Sequence, residues 1–226
     1  MATSMTAKLI SSAMEDYLKA IFELGESNIK TQDVAATLGV SAASVTGMLK
    51  KLAGLNLVHY ERYRGVSLTP AGRLMALETI RHHRLIETYL ADALGYAWHE
   101  VHAEADKLEH HISESFEARI SEALGHPNFD PHGDPIPRRD GSLPACEGRP
   151  LAELKAGYKA TITRITDQRS DVLRYFSEHN LIPGATVTIV DRAPFNGPLT
   201  LEQRGRRIAI AFELAQGIQA RPAPLP

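Results

Sequence analysis

The chain has 226 residues, 43% of them hydrophobic, enough for a buried core in one large domain or two to three small ones. Its single cysteine, Cys146, excludes an internal disulfide and a multi-cysteine zinc site, and no run of about eighteen apolar residues is present to span a bilayer. The net charge of −2 excludes a uniformly basic nucleic-acid binder, but the sign changes by segment: residues 50–73 are basic and 100–122 acidic. Residues 1–12 lack the apolar stretch and cleavage pattern of a secretory signal and read as an N-terminal arm, so a cytoplasmic protein is expected.

Met14, Leu18, Ile21 and Phe22 repeat at helical spacing and stop at Gly25, which predicts a first helix. Thr31 is placed as the cap of a second, short helix carrying Val34, Ala35 and Leu38 and ending at Gly39. Ser41 caps a third, through about Ala53, with Val45, Met48, Leu49 and Leu52 inward. Helix, glycine turn and helix in this order form a helix-turn-helix. Residues 57–62 and 66–69 have strand character and flank Tyr63-Arg64-Gly65, which predicts a hairpin wing. Thr69-Pro70-Ala71-Gly72 then opens a long helix to about Leu94, able to carry a dimerisation surface, with Pro70 in the first turn where its missing N–H costs nothing.

A further helix is predicted over 99–124. Residues 125–150 are rich in proline and glycine and read as a linker or irregular covering loop. Beyond it, 160–165, 186–190, 199–202 and 207–210 alternate at period two, and with one helix over 170–179 they suggest a small SH3-like barrel. The predicted fold is mainly α with small β: a winged-helix DNA-binding domain (1–73), a helical dimerisation and metal domain with its linker (74–150) and an SH3-like domain (151–226).

Chemistry concentrates in two places. On the predicted 99–124 helix, His102, Asp106, Glu109 and His110 stand at i, i+4, i+7 and i+8, on one stripe. His83 and Glu87 are four apart on the preceding helix, and Asp16 lies on the first. Imidazole and carboxylate donors without a thiolate favour manganese or ferrous iron. A single such pair is most often a solvated helix face, but the full set would be costly to bring together without a cation. The second place is the recognition helix and wing. Thr31, Ser41, Ser44, Thr46, Lys50 and Lys51, with Arg62 and Arg64, are the candidates to contact DNA, and lysine and hydroxyl groups suit phosphates. That helix holds no Arg, Asn or Gln for bidentate base contacts, so DNA shape and apolar contacts are expected to carry specificity.

Taken together, Met14-Glu15-Asp16-Tyr17-Leu18, Ser44-Val45-Thr46, Tyr63-Arg64-Gly65, Leu68-Thr69-Pro70-Ala71-Gly72, His83-Arg84-Leu85-Ile86-Glu87, Val101-His102 and Glu109-His110-His111 resemble the iron- and manganese-dependent repressors over nearly the whole chain. The resemblance implies a homodimer that binds a double-stranded operator when Mn(2+) or Fe(2+) is captured. Positions matching the iron-type primary site are Asp16, Asp106, Glu109 and His110, so its two sulfur ligands are replaced by carboxylates, as in the manganese type. Where the manganese type has a further glutamate in the first helix, this chain has Lys19. The ancillary iron-type site matches His83, Glu87 and His102, and its SH3-domain ligands match Arg169 and Val172, with Gln168 and Asp171 adjacent. Two rivals are a metal-independent DNA-binding or scaffold protein and a metalloenzyme. Against the enzyme, the chain has no HExxH, Walker A or nucleophile-elbow motif.

Overall fold

The computed structural model describes residues 10–223, so the expected arm over 1–12 lies outside them except for its last three positions. The chain divides into two compact units. The first takes the residues up to His83 with 107–114 and 137–142, and the second takes 84–106, 115–136 and the chain from 143 on. No helix among the described residues is long and apolar enough to cross a membrane.

In the first unit, α1 (Ser12–Glu23), α2 (Thr31–Leu38) and α3 (Ala42–Gly54) bury one face each around Leu18, Ile21, Val34, Val45, Leu49 and Leu52. The helix-turn-helix is closed by Gly39, whose left-handed φ of 64° ends α2. Ser41 starts α3 by accepting from the backbone N–H of Ser44 at 3.2 Å. Thr31 is not the cap of α2. The carbonyl of Lys30 already accepts from Asp33 and Val34, so the cap is Lys30 and Thr31 is the first helical residue. Strands β1 (Val58–Glu61) and β2 (Gly65–Leu68) pair antiparallel as the wing, and Val66 exchanges two backbone hydrogen bonds with Ile29. The start of α4 (Pro70–Asp92) shows why Thr-Pro-Ala-Gly stands there. Thr69 Oγ1 accepts from the Gly72 N–H at 3.1 Å, and a Cβ on Gly72 would lie 2.0 Å from the Leu57 carbonyl oxygen. Only glycine permits that approach.

The second unit begins within α4 at Arg84. The expected 99–124 helix is two helices, α5 (Val101–Leu108) and α6 (Glu114–Ala123). A tight turn, His111 N–H to Leu108 O at 2.9 Å, ends α5, and Ser113, a favoured capping type, immediately precedes α6. The break places Glu109 and His110 in the turn that follows α5, whereas His102 and Asp106 are helical. Residues 125–148 form no helix or strand, yet 132–137 are buried, so the segment is a covering loop. The C-terminal part is the expected SH3-like domain: β3 (Arg149–Pro150), β4 (Lys159–Ile165), α7 (Ser170–Glu178), β5 (Thr186–Arg192), β6 (Leu199–Gln203), β7 (Arg206–Ile210), α8 (Phe212–Gln216) and β8 (Ile218–Pro222). The sheet order is β3-β8-β4-β5-β6-β7, all antiparallel, with register shifts at Ile162/Arg164 and Ile189/Asp191 that bend it around Phe176, Ile162, Ile189 and Leu201. Strands β3 and β8 and helix α8 were not among the predicted elements.

Candidate metal centres and DNA-binding surface

Helix α1 buries Tyr17, Leu18, Ala20 and Ile21 in the winged-helix core, which leaves Glu15, Asp16 and Lys19 along its margin. The turn after α5 brings Glu109 and His110 to that margin. His110 Nε2 lies 2.8 Å from Asp16 Oδ1 and 3.3 Å from Glu109 Oε1, and its Nδ1 lies 2.5 Å from Glu15 Oε2. Glu15 thus holds one ring nitrogen and aims the other at the two carboxylates, the outer support that metal-ligating histidines use. Donor atoms of Asp16, Glu109 and His110 all lie within 4.8 Å of one another. One imidazole and two carboxylates suit manganese or ferrous iron, so the residues fit the ion the sequence implies.

Glu109 is almost completely buried, at 2% exposure, and also faces inward charge. Lys19 Nζ donates to its Oε1 at 3.1 Å and its Oε2 at 2.9 Å, and His83 Nδ1 contacts Oε2. Burial alone would raise the Glu109 pKa, but the hydrogen bond from His83 and the Lys19 charge outweigh it and hold the carboxyl below its ordinary value. Asp106, also expected in this set, lies on α5, where it pairs with His102 Nε2 at 3.6 Å.

Of the expected ancillary set, His83 belongs to the first unit, where it contacts Glu109 and lies 3.2 Å from Lys19 Nζ. Glu87 and His102 belong to the second, with His102 Nδ1 3.2 Å from Glu87 Oε1. The structure adds two partners there that sequence reasoning missed. Glu87, Asp130 and His132, all buried, bring donor atoms within 4.8 Å of one another. His132 Nε2 donates to the Trp98 carbonyl at 2.9 Å, which turns Nδ1 toward Glu87 Oε2 at 3.8 Å, an ion-pair distance rather than a hydrogen bond. Asp130 Oδ1 accepts from the N–H groups of His132 and Asp134 at 2.8 and 2.9 Å, which folds the loop and leaves Oδ2 directed elsewhere. Asp130 Oδ2 and His132 Nδ1 are buried and make no hydrogen bond. Arg84 Nε lies 3.8 Å from Asp130 Oδ2, an ion pair without a hydrogen bond, so two buried atoms that converge with Glu87 still have room to serve a cation. Of the SH3-domain candidates, Arg169 is paired with Asp167 at 2.9 Å and Val172 is in the core, so neither offers a ligand. Gln168 instead reaches Asp134 Oδ2 at 2.5 Å and ties the domain to the covering loop.

This second cluster has a measurable pH signature. Burial, then the charges of Glu87 and Asp134, raises the Asp130 pKa from 3.8 to about 7. His132 is raised as well: burial opposes its charge, but Glu87 and Asp130 outweigh burial. In metal-free protein both groups keep protons in the folded state that the unfolded chain releases, Asp130 above its unfolded value of 3.8 and His132 above 6.5. Stability therefore falls as pH rises through those windows. Thermal melts of metal-free protein are expected to show a contribution from Asp130 that lowers Tm as pH rises from about 4 to about 7, and Asp130→Asn should remove it; an identical slope in that variant refutes the assignment.

The DNA-binding candidates all belong to the first unit. Ser41, Ser44, Lys50, Lys51, Arg62 and Arg64 are exposed, and Thr31 and Thr46 are half-buried. Two hydroxyls are already engaged, Ser41 Oγ with Ser44 Oγ at 2.9 Å and Thr46 Oγ1 donating to Ala42 O at 2.9 Å. On the wing Tyr63 is 91% exposed with a left-handed φ of 71°, and the Arg62 guanidinium lies 5.0 Å from its ring centre. Arg64 pairs with Glu61 at 3.1 Å, while Tyr60 packs against the core.

Comparison with known proteins agrees with this layout. Family models described as the N-terminal DNA binding domain of iron dependent repressors, their metal binding and dimerisation domain, and the FeoA domain match residues 9–66, 69–138 and 149–222. The iron-dependent repressor IdeR of Mycobacterium leprae is 28% identical over 219 residues, covering 91% of this chain and 95% of that protein. A manganese-dependent transcriptional repressor solved in complex with manganese is 37% identical, with a TM-score of 0.85 over 92% of this chain and 99% of that one. ScaR with bound Zn2+ is 34% identical, with a TM-score of 0.77 over 92% and 98%. With a winged helix, clustered histidine and carboxylate donors and this coverage, the chain belongs to the iron- and manganese-dependent transcriptional repressors of the diphtheria-toxin-repressor type.

Proposed function

We propose that this chain is a manganese-responsive homodimeric repressor whose primary centre is Asp16, Glu109 and His110, with Glu87, Asp130 and His132 as a second centre. The observation that carries the reading is the convergence of Asp16, on a helix of the winged-helix core, with two donors from the turn after α5. When bound, the ion supplies the positive charge that three such donors need to remain close. Asp16 then holds α1, and with it the winged helix, to that turn. Glu15 keeps the His110 ring aimed, and burial of Glu109 excludes water from one side of the centre. Fixing α1 favours one arrangement of the winged helix out of several, and a partner that binds that arrangement is bound more tightly. The partner is a palindromic operator, whose half-sites match the two-fold axis of a dimer. Lys50, Lys51 and Arg62 serve its phosphates.

A duplex selected from a random pool in the presence of Mn2+ provides the test. Fluorescence anisotropy should show affinity rising with free Mn2+, and Lys50→Ala and Lys51→Ala should each reduce the salt slope by about one. Affinity that ignores metal throughout the titration would favour a metal-independent DNA-binding protein instead.

A further inference from the structure

We infer that Glu78, His82 and Glu114 form a third site for a divalent transition ion, open to solvent and sharing no side chain with either centre described above.

Glu78 and His82 stand one turn apart on α4, and Glu114 is the first residue of α6. All three belong to the first unit, and each brings one donor atom to within 4.8 Å of the other two. An acid one turn from a histidine is common on a solvated helix, so the donor delivered by a different element is what makes a site of the pair. The His82 ring is also set for ligation. Its Nδ1 lies 3.2 Å from the backbone carbonyl oxygen of Glu109, and because a carbonyl only accepts, Nδ1 carries the proton. The neutral ring then presents Nε2 with its lone pair, the form in which imidazole binds a metal, and the carbonyl is the outer support that fixes the ring. His132 is held in the same way by the Trp98 carbonyl.

One imidazole and two carboxylates suit manganese, ferrous iron or zinc. Glu78 and Glu114 are exposed and His82 is half-buried, so water screens the charges and binding is weaker than at the centre built on the buried Glu109. Arg139 Nη2 approaches Glu114 Oε2 at 3.9 Å with both side chains more than half exposed, and an ion pair of that kind competes poorly with a divalent ion. An ion held here ties α4 to the start of α6, across the turn that carries Glu109 and His110.

The test counts Mn2+ bound per full-length chain by equilibrium dialysis, with free Mn2+ raised in steps until the count stops rising. Glu78→Gln combined with Glu114→Gln, and separately His82→Gln, are each expected to lose one Mn2+, the weakest bound, and to keep the tighter ions. Circular dichroism checks folding, and if one variant folds poorly the other carries the comparison. An unchanged count in the folded glutamine pair overturns the inference. So does an unchanged count in His82→Gln, which would mean that acidic groups alone gather the ion. The control is Asp16→Asn combined with His110→Ala, expected to lose a tighter ion and keep the weak one. A control count equal to that of the unaltered chain would mean that the primary centre is misassigned, a separate failure that leaves the third site standing.

Discussion

Asp16→Asn combined with His110→Ala is expected to yield a folded protein that no longer tightens on its operator when Mn2+ is added. These side chains are two of the three donors of the primary centre, and they are the two that join α1 to the turn after α5. Changing even a supporting residue of a metal site typically costs ten- to a hundredfold in metal affinity, so losing two donors should shift the Mn2+ midpoint by at least about a hundredfold. The weak binding that phosphate contacts provide without metal should persist, since Lys50 and Lys51 are untouched. Anisotropy at buffered free Mn2+ measures both quantities. A midpoint within a few fold of the unaltered protein would show that the switch lies elsewhere.

Glu109→Ala should behave differently, because Glu109 matters before any metal arrives. Its removal takes from the Lys19 ammonium, at a position of low exposure beside His83, the carboxylate that accepts from it through both oxygens. Breaking one half of a buried ion pair costs about 3–5 kcal/mol, whereas replacing both halves with apolar groups is often neutral. Urea unfolding of metal-free protein should therefore show a large loss for Glu109→Ala and recovery of most of it in Lys19→Met/Glu109→Leu. Equal losses in the single and double variants would mean that the pair contributes nothing specific and that the turn simply needs Glu109.

Local rules made much of this molecule readable from its residues. Gly39, Ser41, the Thr-Pro-Ala-Gly start of α4 and the period-two strands each act within a few positions, and the structure shows each at its place apart from the one-residue shift at Thr31. The break between α5 and α6 was not readable in the same way. Residues 99–124 are nearly all compatible with a helix, and what draws Glu109 and His110 out of it is a set of partners on α1: Lys19 for the one, Glu15 and Asp16 for the other. Ser113 was the one local signal for a new helix start. Asp130 and His132 were hidden for a related reason. A proline- and glycine-rich segment reads as a linker or a covering loop, and nothing local says that the Trp98 carbonyl and Glu87 will receive it. Asp-Pro-His-Gly-Asp at 130–134 is still unusually dense in polar anchors, a signal that composition alone passes over.

The turn that carries Glu109 and His110 also governs how the protein comes apart. Lys19 and Glu109 are separated by 90 residues, and Asp16 and His110 by 94, so these contacts close a long loop. Contacts of that separation reward the chain only after the loop entropy has been spent, which places them late in folding. Interactions absent from the transition state act on the escape from the native state rather than on its formation. Mn2+ should therefore lengthen the lifetime of the folded repressor while leaving its refolding rate almost unchanged, so that metal sets how long the protein persists as well as what it binds.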